Sequence, residues 1–108
     1  MKIINNSNEF DQLSSENNIV VADFYADWCG PCQVLLPIVE EVANDYRGRA
    51  EVVKVNVDTN QELAMRFGVR NIPTLLFIKN EKVVDRMVGV QSKSEIELKI
   101  KTLEISAN

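Results

Sequence analysis

Hydrophobic positions along this chain fall into short β-branched or aromatic runs and longer stretches with apolar residues three or four apart. The run Ile19–Tyr25 (IVVADFY) predicts a buried central strand. Alternating valines over residues 53–58 predict another strand, and Thr74–Lys79 and Lys82–Val88 predict a hairpin around an Asn80–Glu81 turn. The order of elements is compatible with one further strand at the N-terminus.

The longest stretch with helical spacing directly follows the buried strand. It begins near Pro31 and ends at Gly48, and Pro37 lies inside it. Because the apolar period resumes beyond Pro37, we expect this proline to kink the helix without ending it. The inward positions of this helix are predicted to be Val34, Leu35, Ile38, Val39, Val42, Ala43 and Tyr46.

Three shorter helices are marked by the residues that precede them. Asn5–Asn8 caps the first. Thr59 with Glu62, and Ser92 with Glu95, have the spacing of capping boxes, which predicts a helix after each pair. The inward residues are Phe10 and Leu13 in the first helix and Ile96, Ile100 and Leu103 in the last, and the middle helix ends at Phe67–Gly68.

This order of elements predicts an α/β fold in which helices cover both faces of a mixed sheet. A chain of 108 residues, 45% hydrophobic and 26% charged, fits one domain over residues 1–108. A net charge of −4 without a Lys/Arg cluster argues against binding nucleic acid. No apolar stretch matches a signal peptide or a membrane span, so we expect a cytoplasmic protein, or an organelle protein whose transit peptide has been removed.

Two cysteines lie where the buried strand turns into the longest helix, in the segment Trp28-Cys29-Gly30-Pro31-Cys32. At a helix N-terminus, free N–H groups and the positive end of the helix dipole stabilise a thiolate. Gly30 and Pro31 hold the cysteines in a tight turn, so that a small disulfide ring can close. We expect Cys29 to be the more exposed thiol and the nucleophile, and Cys32 to resolve the mixed disulfide.

A lone C-x-x-C also occurs as half of a metal site or as two incidental core cysteines. The chain has no histidine and no further cysteine, which excludes a Cys/His zinc site with four protein ligands. We therefore expect no metal and no separate cofactor, because the cysteine pair is itself the redox centre. Its position at a strand-to-helix junction favours redox chemistry over either alternative.

A carboxylate in the middle of Ile19–Tyr25 is unusual, because charge is costly on a buried central strand. Asp23 lies six residues before Cys29, and a raised pKa would let it exchange a proton with Cys32 directly or through water. Lys54, on the neighbouring predicted strand, would then modulate Asp23. The alternative is that Asp23 lies at a sheet edge or forms a structural salt bridge with Lys54.

Taken together, these segments resemble the thioredoxin family over nearly the whole chain. The matching residues are Asp23, Ala26–Cys32 (ADWCGPC), Pro37, the segment VKVNVD that holds Lys54, Ile72-Pro73-Thr74 and Val88-Gly89-Val90. The resemblance implies a central mixed sheet of five strands flanked by four helices. It also implies a protein-disulfide reductase that acts on disulfide-containing proteins and is recharged by a thioredoxin reductase. We expect a monomer with no membrane partner.

The same resemblance implies a substrate-binding surface. A cis peptide bond between Ile72 and Pro73 would pack against the cysteines and leave the backbone of Ile72 free to pair with an extended substrate segment. Apart from the resemblance, the sequence favours the interpretation of Pro73 as a plain turn residue at the entry of a strand. The residues expected to contact substrate are Trp28, Gly30, Pro31, Ile72, Pro73, Val88, Gly89 and Val90.

Three positions depart from the commonest family pattern. Tyr25 stands where tryptophan is frequent, Gln33 stands where a basic residue often follows the second cysteine, and Asn80–Glu81 lacks the usual turn glycine. Gln33 removes one stabiliser of the thiolate. A disulfide oxidase or isomerase and a binding module with incidental cysteines are the competing functions. The Gly-Pro dipeptide favours reduction, and retention of Asp23 and Pro73 argues against the binding module.

Overall fold

A computed structural model describes residues 1–106, and the last two residues of the predicted domain 1–108 lie outside the described residues. Its elements are β1 (Lys2–Ile3), α1 (Ser7–Glu16), β2 (Ile19–Tyr25), α2 (Gly30–Asp45), β3 (Glu51–Asn56), α3 (Gln61–Arg66), β4 (Thr74–Lys79), β5 (Lys82–Val88) and α4 (Lys93–Ile105). The strand order is β1-β3-β2-β4-β5. β1, β3 and β2 are parallel, whereas β4 is antiparallel to β2 and to β5. The predicted mixed sheet of five strands and four helices is confirmed.

β2 is the central strand and is buried along its whole length. Successive side chains of a strand point to opposite faces of the sheet. Val21 therefore joins a core cluster with residues of α2 and α4, whereas Ala22 joins a second cluster with residues of α1 and α3. By the same alternation, Asp23 and Tyr25 lie on the face that α2 covers.

The long helix runs through Pro37, which confirms that this proline does not end it. The helix ends at Asp45, three residues before the predicted end at Gly48. The backbone N–H of Tyr46 donates to the carbonyl of Val42, and the chain then leaves through a turn in which Gly48 adopts a φ of +84°. A left-handed conformation of this kind favours glycine.

The prediction that Val34 faces inward is wrong, because 60% of this residue is exposed. The buried face of α2 consists of Cys32, Leu35, Val39 and Val42. Adjacent residues of an α-helix point about 100° apart, so Val34 cannot share the direction of Leu35. It lies instead on the outer surface, two residues beyond the second cysteine.

Of the two predicted capping boxes, only the second forms. The Ser92 hydroxyl accepts the N–H of Glu95 over 3.2 Å, and the Ser92 N–H donates to the Glu95 carboxylate over 3.2 Å. Before α3, the Thr59 hydroxyl donates to the carbonyl of Asn56 instead, and the Glu62 carboxylate accepts the Ser7 hydroxyl of α1. The predicted Thr59/Glu62 box is therefore wrong.

β3 ends earlier than the alternating valines predict. Its last residue is Asn56, whose side-chain oxygen accepts the N–H of Asp58 over 2.9 Å and turns the chain. Val57 thus follows the strand and is half-buried beside the cysteines.

The β4–β5 hairpin turns at Asn80 and Glu81, as predicted. Both residues have positive φ angles, of 50° and 69°, and the Asn80 N–H donates to the carbonyl of Asn18 over 3.0 Å. This turn therefore lies beside the residues that precede β2. Within residues 1–106, no helix combines the length and the apolar character needed to cross a bilayer.

Candidate active site

Cys29 and Cys32 form a disulfide at the N-terminus of α2, with their Cα atoms 5.2 Å apart. Cys29 is the N-cap residue, and its sulfur accepts the backbone N–H of Cys32 over 3.2 Å. The sulfur thus takes the place of the side-chain oxygen that usually caps a helix. A negative charge on this sulfur in the reduced protein would also lie at the positive end of the helix dipole.

Both cysteines are largely covered in the disulfide form. Cys29 is 5% exposed and Cys32 is 2% exposed, so the order agrees with the expectation but the difference is small. Cys29 and Cys32 belong to a small core cluster with Tyr25 and Ala26, and half-buried Ile72 packs against it. The Ile72 carbonyl oxygen lies 3.9 Å from the Cys29 sulfur.

The peptide bond between Ile72 and Pro73 is cis, and Pro73 is buried immediately before β4. The Pro73 carbonyl accepts the N–H of Gly89 over 2.8 Å, and Gly89 adopts a φ of +89°. A residue with a Cβ would be strained in that conformation. The structure therefore brings the loop after β5 to Pro73, and the Ile72 carbonyl to Cys29.

The other predicted substrate contacts are mostly solvent-accessible. Gly30 and Pro31 are exposed at the start of α2. The exposed apolar side chains are Trp28, Val88 and Val90, of which Trp28 is 73% exposed. An indole so exposed is available to a partner protein, since Trp is favoured at interfaces.

Sequence reasoning missed the partner of Trp28. Its indole N–H donates to the carboxylate of Asp58 over 2.9 Å. Asp58 lies 30 residues away in the turn after β3, and no local pattern marks it. The side-chain amide of Gln33 also donates to the Asp27 carbonyl over 3.3 Å, which joins the first turn of α2 to the loop before the cysteines.

Asp23 is fully buried, and neither carboxylate oxygen has a hydrogen-bond partner. Burial raises the pKa of Asp23 to about 7, and the positive charge of Lys54 opposes part of that rise. Lys54 is the register partner of Asp23 across β2 and β3. Asp23 therefore lies in the centre of the sheet rather than at an edge, and it does not form the hydrogen-bonded salt bridge with Lys54 that was the alternative.

Comparison with known proteins agrees with this geometry. The family model described as Thioredoxin matches residues 1–102. A thioredoxin from Chlorobaculum thiosulfatiphilum is 47% identical over 89 residues, covering 82% of each chain. A thioredoxin from Mycoplasmoides gallisepticum is 46% identical over 97 residues, covering 90% of this chain and 96% of the relative.

Solved structures show the same similarity. A mutant thioredoxin from Halobacterium salinarum superposes with a TM-score of 0.91 at 39% identity, covering 99% of this chain and 93% of that one. Plasmodium falciparum thioredoxin gives a TM-score of 0.87 at 33% identity, covering 94% and 98%. The chain therefore belongs to the thioredoxin family, and it is a protein-disulfide oxidoreductase that carries electrons to disulfide-containing proteins through the Cys29–Cys32 dithiol/disulfide pair.

Proposed function

We propose that the reduced protein attacks substrate disulfides with Cys29 and resolves the mixed disulfide with Cys32. The observation that carries this assignment is the capping position of Cys29, whose sulfur accepts the N–H of Cys32. A thiolate at Cys29 keeps this hydrogen bond and benefits from the helix dipole, which favours the charged form. Cys32 lies inside the first turn and is the more covered of the two.

Each turnover transfers two electrons to the substrate. The Cys29 thiolate bonds to one sulfur of the substrate disulfide, and the other substrate sulfur leaves as a thiolate that takes up a proton. Cys32 then loses its proton and bonds to the Cys29 sulfur, which releases the second substrate thiol. The products are a reduced substrate and the Cys29–Cys32 disulfide.

Asp23 is the group that we assign to accept the Cys32 proton. It lies on the sheet face beneath α2, and its pKa of about 7 allows it to take up and return a proton near neutral pH. Lys54 modulates this group because its positive charge favours the ionised carboxylate. The transfer is direct or passes through a water molecule.

The surface around the cysteines would bind an extended segment of the substrate. The backbone of Ile72 lies against Cys29 and can pair with the segment on either side of its cysteine. The apolar contacts would come from the exposed side chains around it, and the glycine and proline residues leave room for close approach. This surface comprises Trp28, Gly30, Pro31, Ile72, Pro73, Val88, Gly89 and Val90.

The disulfide left after each turnover must be reduced again, and we assign this step to a thioredoxin reductase. The redox centre is the cysteine pair alone, with no separate cofactor or metal. We assign the protein to the cytoplasm, or to an organelle stroma or matrix, as a monomer that binds neither nucleic acid nor membranes. The net charge of −4 supports the assignment that the protein does not bind nucleic acid.

Replacing each cysteine in turn tests the two roles. Cys29→Ser is expected to lose the ability to accelerate the reduction of a disulfide protein by dithiothreitol. It is also expected to form no adduct with that disulfide protein. Cys32→Ser is expected to attack once and to accumulate a mixed disulfide, measured by mass spectrometry. The double variant is the control for adventitious adducts. Accumulation of the mixed disulfide by Cys29→Ser instead would reverse the two assignments.

The redox potential separates reduction from the competing oxidase or isomerase function. The general reference value for thioredoxin is about −270 mV, and for protein disulfide isomerase it is about −180 mV. We expect the Cys29/Cys32 couple to lie near the first value, measured by equilibration with glutathione buffers. A potential above about −180 mV would contradict the reductase assignment.

A further inference from the structure

Four polar or aromatic side chains share the α2 face of β2 and β3. Asp23 and Tyr25 lie two residues apart on β2 and therefore point the same way. Lys54 pairs with Asp23 in the register of β2 and β3, and Asn56 pairs with Tyr25. Lys54 thus has a carboxylate directly opposite and an aromatic ring on the diagonal, both within reach of a long side chain.

Of these two partners, the Lys54 side chain contacts the diagonal one, Tyr25. Its ammonium nitrogen lies over the Tyr25 ring, 5.5 Å from the centroid, whereas both oxygens of Asp23 remain without a hydrogen bond. The negative face of an aromatic ring attracts a cation at this distance. The position of the ammonium group is therefore explained by the ring.

Tyr25 is well placed to hold the Lys54 ammonium group over its ring. Its side chain is buried, and its register partner on β3 is Asn56. Burial, followed by the negative charges of Asp27 and Asp23, raises the pKa of the Tyr25 phenol above its usual value. The phenol is therefore neutral at physiological pH, and its hydroxyl remains protonated.

Among residues 1–106, the remaining surroundings of Asp23 contain no other charged group. Its neighbour on β4 is apolar Leu75, and α2 places the cysteine pair and apolar residues over this face. In the part of the chain that the structure describes, Lys54 is the one charged group that acts on the Asp23 carboxyl. The location of this single ammonium group therefore determines how far the carboxylate is stabilised.

We infer that Tyr25 is a positioning residue that holds the Lys54 ammonium group on its ring and away from the Asp23 carboxylate. Without the ring, the ammonium group would move to the carboxylate, which is the other partner within its reach, because opposite charges attract each other in a region of low dielectric. Asp23 would then ionise more easily and be a weaker base for the Cys32 thiol. The inference rests on the proposed proton-transfer role of Asp23 for its effect on catalysis, but not for its effect on Asp23 itself.

The first test follows the titration of the Asp23 carboxyl by carbon NMR in the oxidised protein. Tyr25→Leu removes the ring and is expected to lower the titration midpoint of Asp23 by about one pH unit or more, as for an aspartate beside a cation. Tyr25→Phe keeps the ring without the hydroxyl and is expected to leave the midpoint near that of the parent. Tyr25→Met replaces Tyr25→Leu if the latter does not fold.

Lys54→Met provides the decisive control. A lower midpoint in Tyr25→Leu could also arise from water that enters beside Asp23. If Lys54 causes the change, Tyr25→Leu must lower the midpoint in the parent but not in the Lys54→Met background. An equal lowering in both backgrounds, or no lowering in either, would overturn the inference.

The catalytic readout separates this inference from the proposed role of Asp23. The rate at which Cys32 resolves the mixed disulfide is measured against pH in single turnovers. We expect its midpoint to move down with the Asp23 titration in Tyr25→Leu and to stay in place in Tyr25→Phe. If the titration moves and the resolution rate does not follow, Tyr25 positions Lys54 as inferred and Asp23 is not the proton acceptor.

Discussion

The neighbouring strands β2 and β4 each bury one acidic or basic side chain, and these two side chains have opposite hydrogen-bonding surroundings. Lys79, in β4, donates to the carbonyls of Leu103 and Ser106 at the end of α4. Asp23, in β2, has no hydrogen-bond partner for either oxygen. The lysine donates to carbonyls at the C-terminal end of a helix, and it lies at the negative end of the helix dipole. Lys79 thus stabilises the fold, whereas Asp23 costs stability.

The contrast indicates which buried charge serves chemistry. A buried polar group without a partner destabilises a protein, so its presence needs a reason other than packing. Asp23 lies on the face covered by the helix that carries the cysteines, and Lys79 lies at the other end of the sheet beside the hairpin turn. Of these two charged groups, the one without a hydrogen-bond partner is therefore the one near the redox centre.

Replacing Asp23 with Asn should give the largest change in stability. Burial raises the folded pKa of Asp23 to about 7 from an unfolded value near 4, so the folded parent binds more protons between those values. Parent stability must then fall as pH rises from about 4 to about 7, and stay lowered above that range. Asp23→Asn removes this cost and should be more stable at pH 8 by about 1–4 kcal/mol.

Denaturant titrations of both proteins across pH measure this difference. The gain should disappear in acid, where the parent carboxyl is neutral, and resolution of the mixed disulfide should slow at neutral pH while the attack by Cys29 changes less. An Asp23→Asn protein that is less stable than the parent at pH 8 would mean that the carboxylate is well satisfied, and the contrast with Lys79 would fail.

Replacing Lys79 with Met should change stability in the opposite direction. The substitution keeps the apolar stem but removes the hydrogen bonds of the ammonium group to the Leu103 and Ser106 carbonyls, and the Leu103 carbonyl keeps the 3.3 Å bond from the Ser106 N–H. Losing these buried bonds costs about 1–3 kcal/mol. Disulfide reduction by the folded variant should match the parent, because Lys79 touches no part of the active site. Thermal unfolding and a turnover assay are the two measurements.

Lys82→Met is the matched control for this prediction. Lys82 pairs with Lys79 across the hairpin but is exposed, so its replacement should leave the unfolding free energy nearly unchanged. Equal effects of the two substitutions would show that the contacts of Lys79 with α4 contribute nothing.

An ion pair on the surface should show the smallest effect. Arg66 makes two hydrogen bonds with the Asp11 carboxylate, at 2.8 and 3.2 Å, yet both side chains remain about half exposed, at 44% and 54%. Water and salt weaken such pairs, so Arg66→Met should cost no more than about 1 kcal/mol. Unfolding at low and high salt checks this, and a loss larger than that of Lys79→Met would overturn the distinction between buried and exposed charges.

The sequence alone predicts those elements whose signal is local. The bounds of β2, β4 and β5 agree with the prediction, because each is a short run of strand-forming residues. The Ser92/Glu95 box forms because both of its hydrogen bonds join Ser92 and Glu95, which are close together in the sequence. The cysteine pair and the burial of Asp23 also agree with expectation, and the cis bond before Pro73 agrees with what the family resemblance implies.

The features that sequence reasoning missed depend on contacts between distant segments. Glu62 bonds to Ser7, 55 residues away, rather than to its own helix start. Trp28 bonds to Asp58 across 30 residues. The Lys54 ammonium group lies over the Tyr25 ring although the register places it opposite Asp23. Such choices depend on the tertiary arrangement of the strands, which spacing along the chain does not encode.

The Asn80–Glu81 turn makes this protein convenient as a carrier for attached labels or inserted peptides. The turn is exposed and lies next to Asn18, at the start of the strand whose far end leads to the cysteines. Exposed loop tips tolerate insertion best. A dye or an epitope placed between these two residues would stand a full strand length from the disulfide, so the tagged protein could report on its partners without covering the surface that receives them.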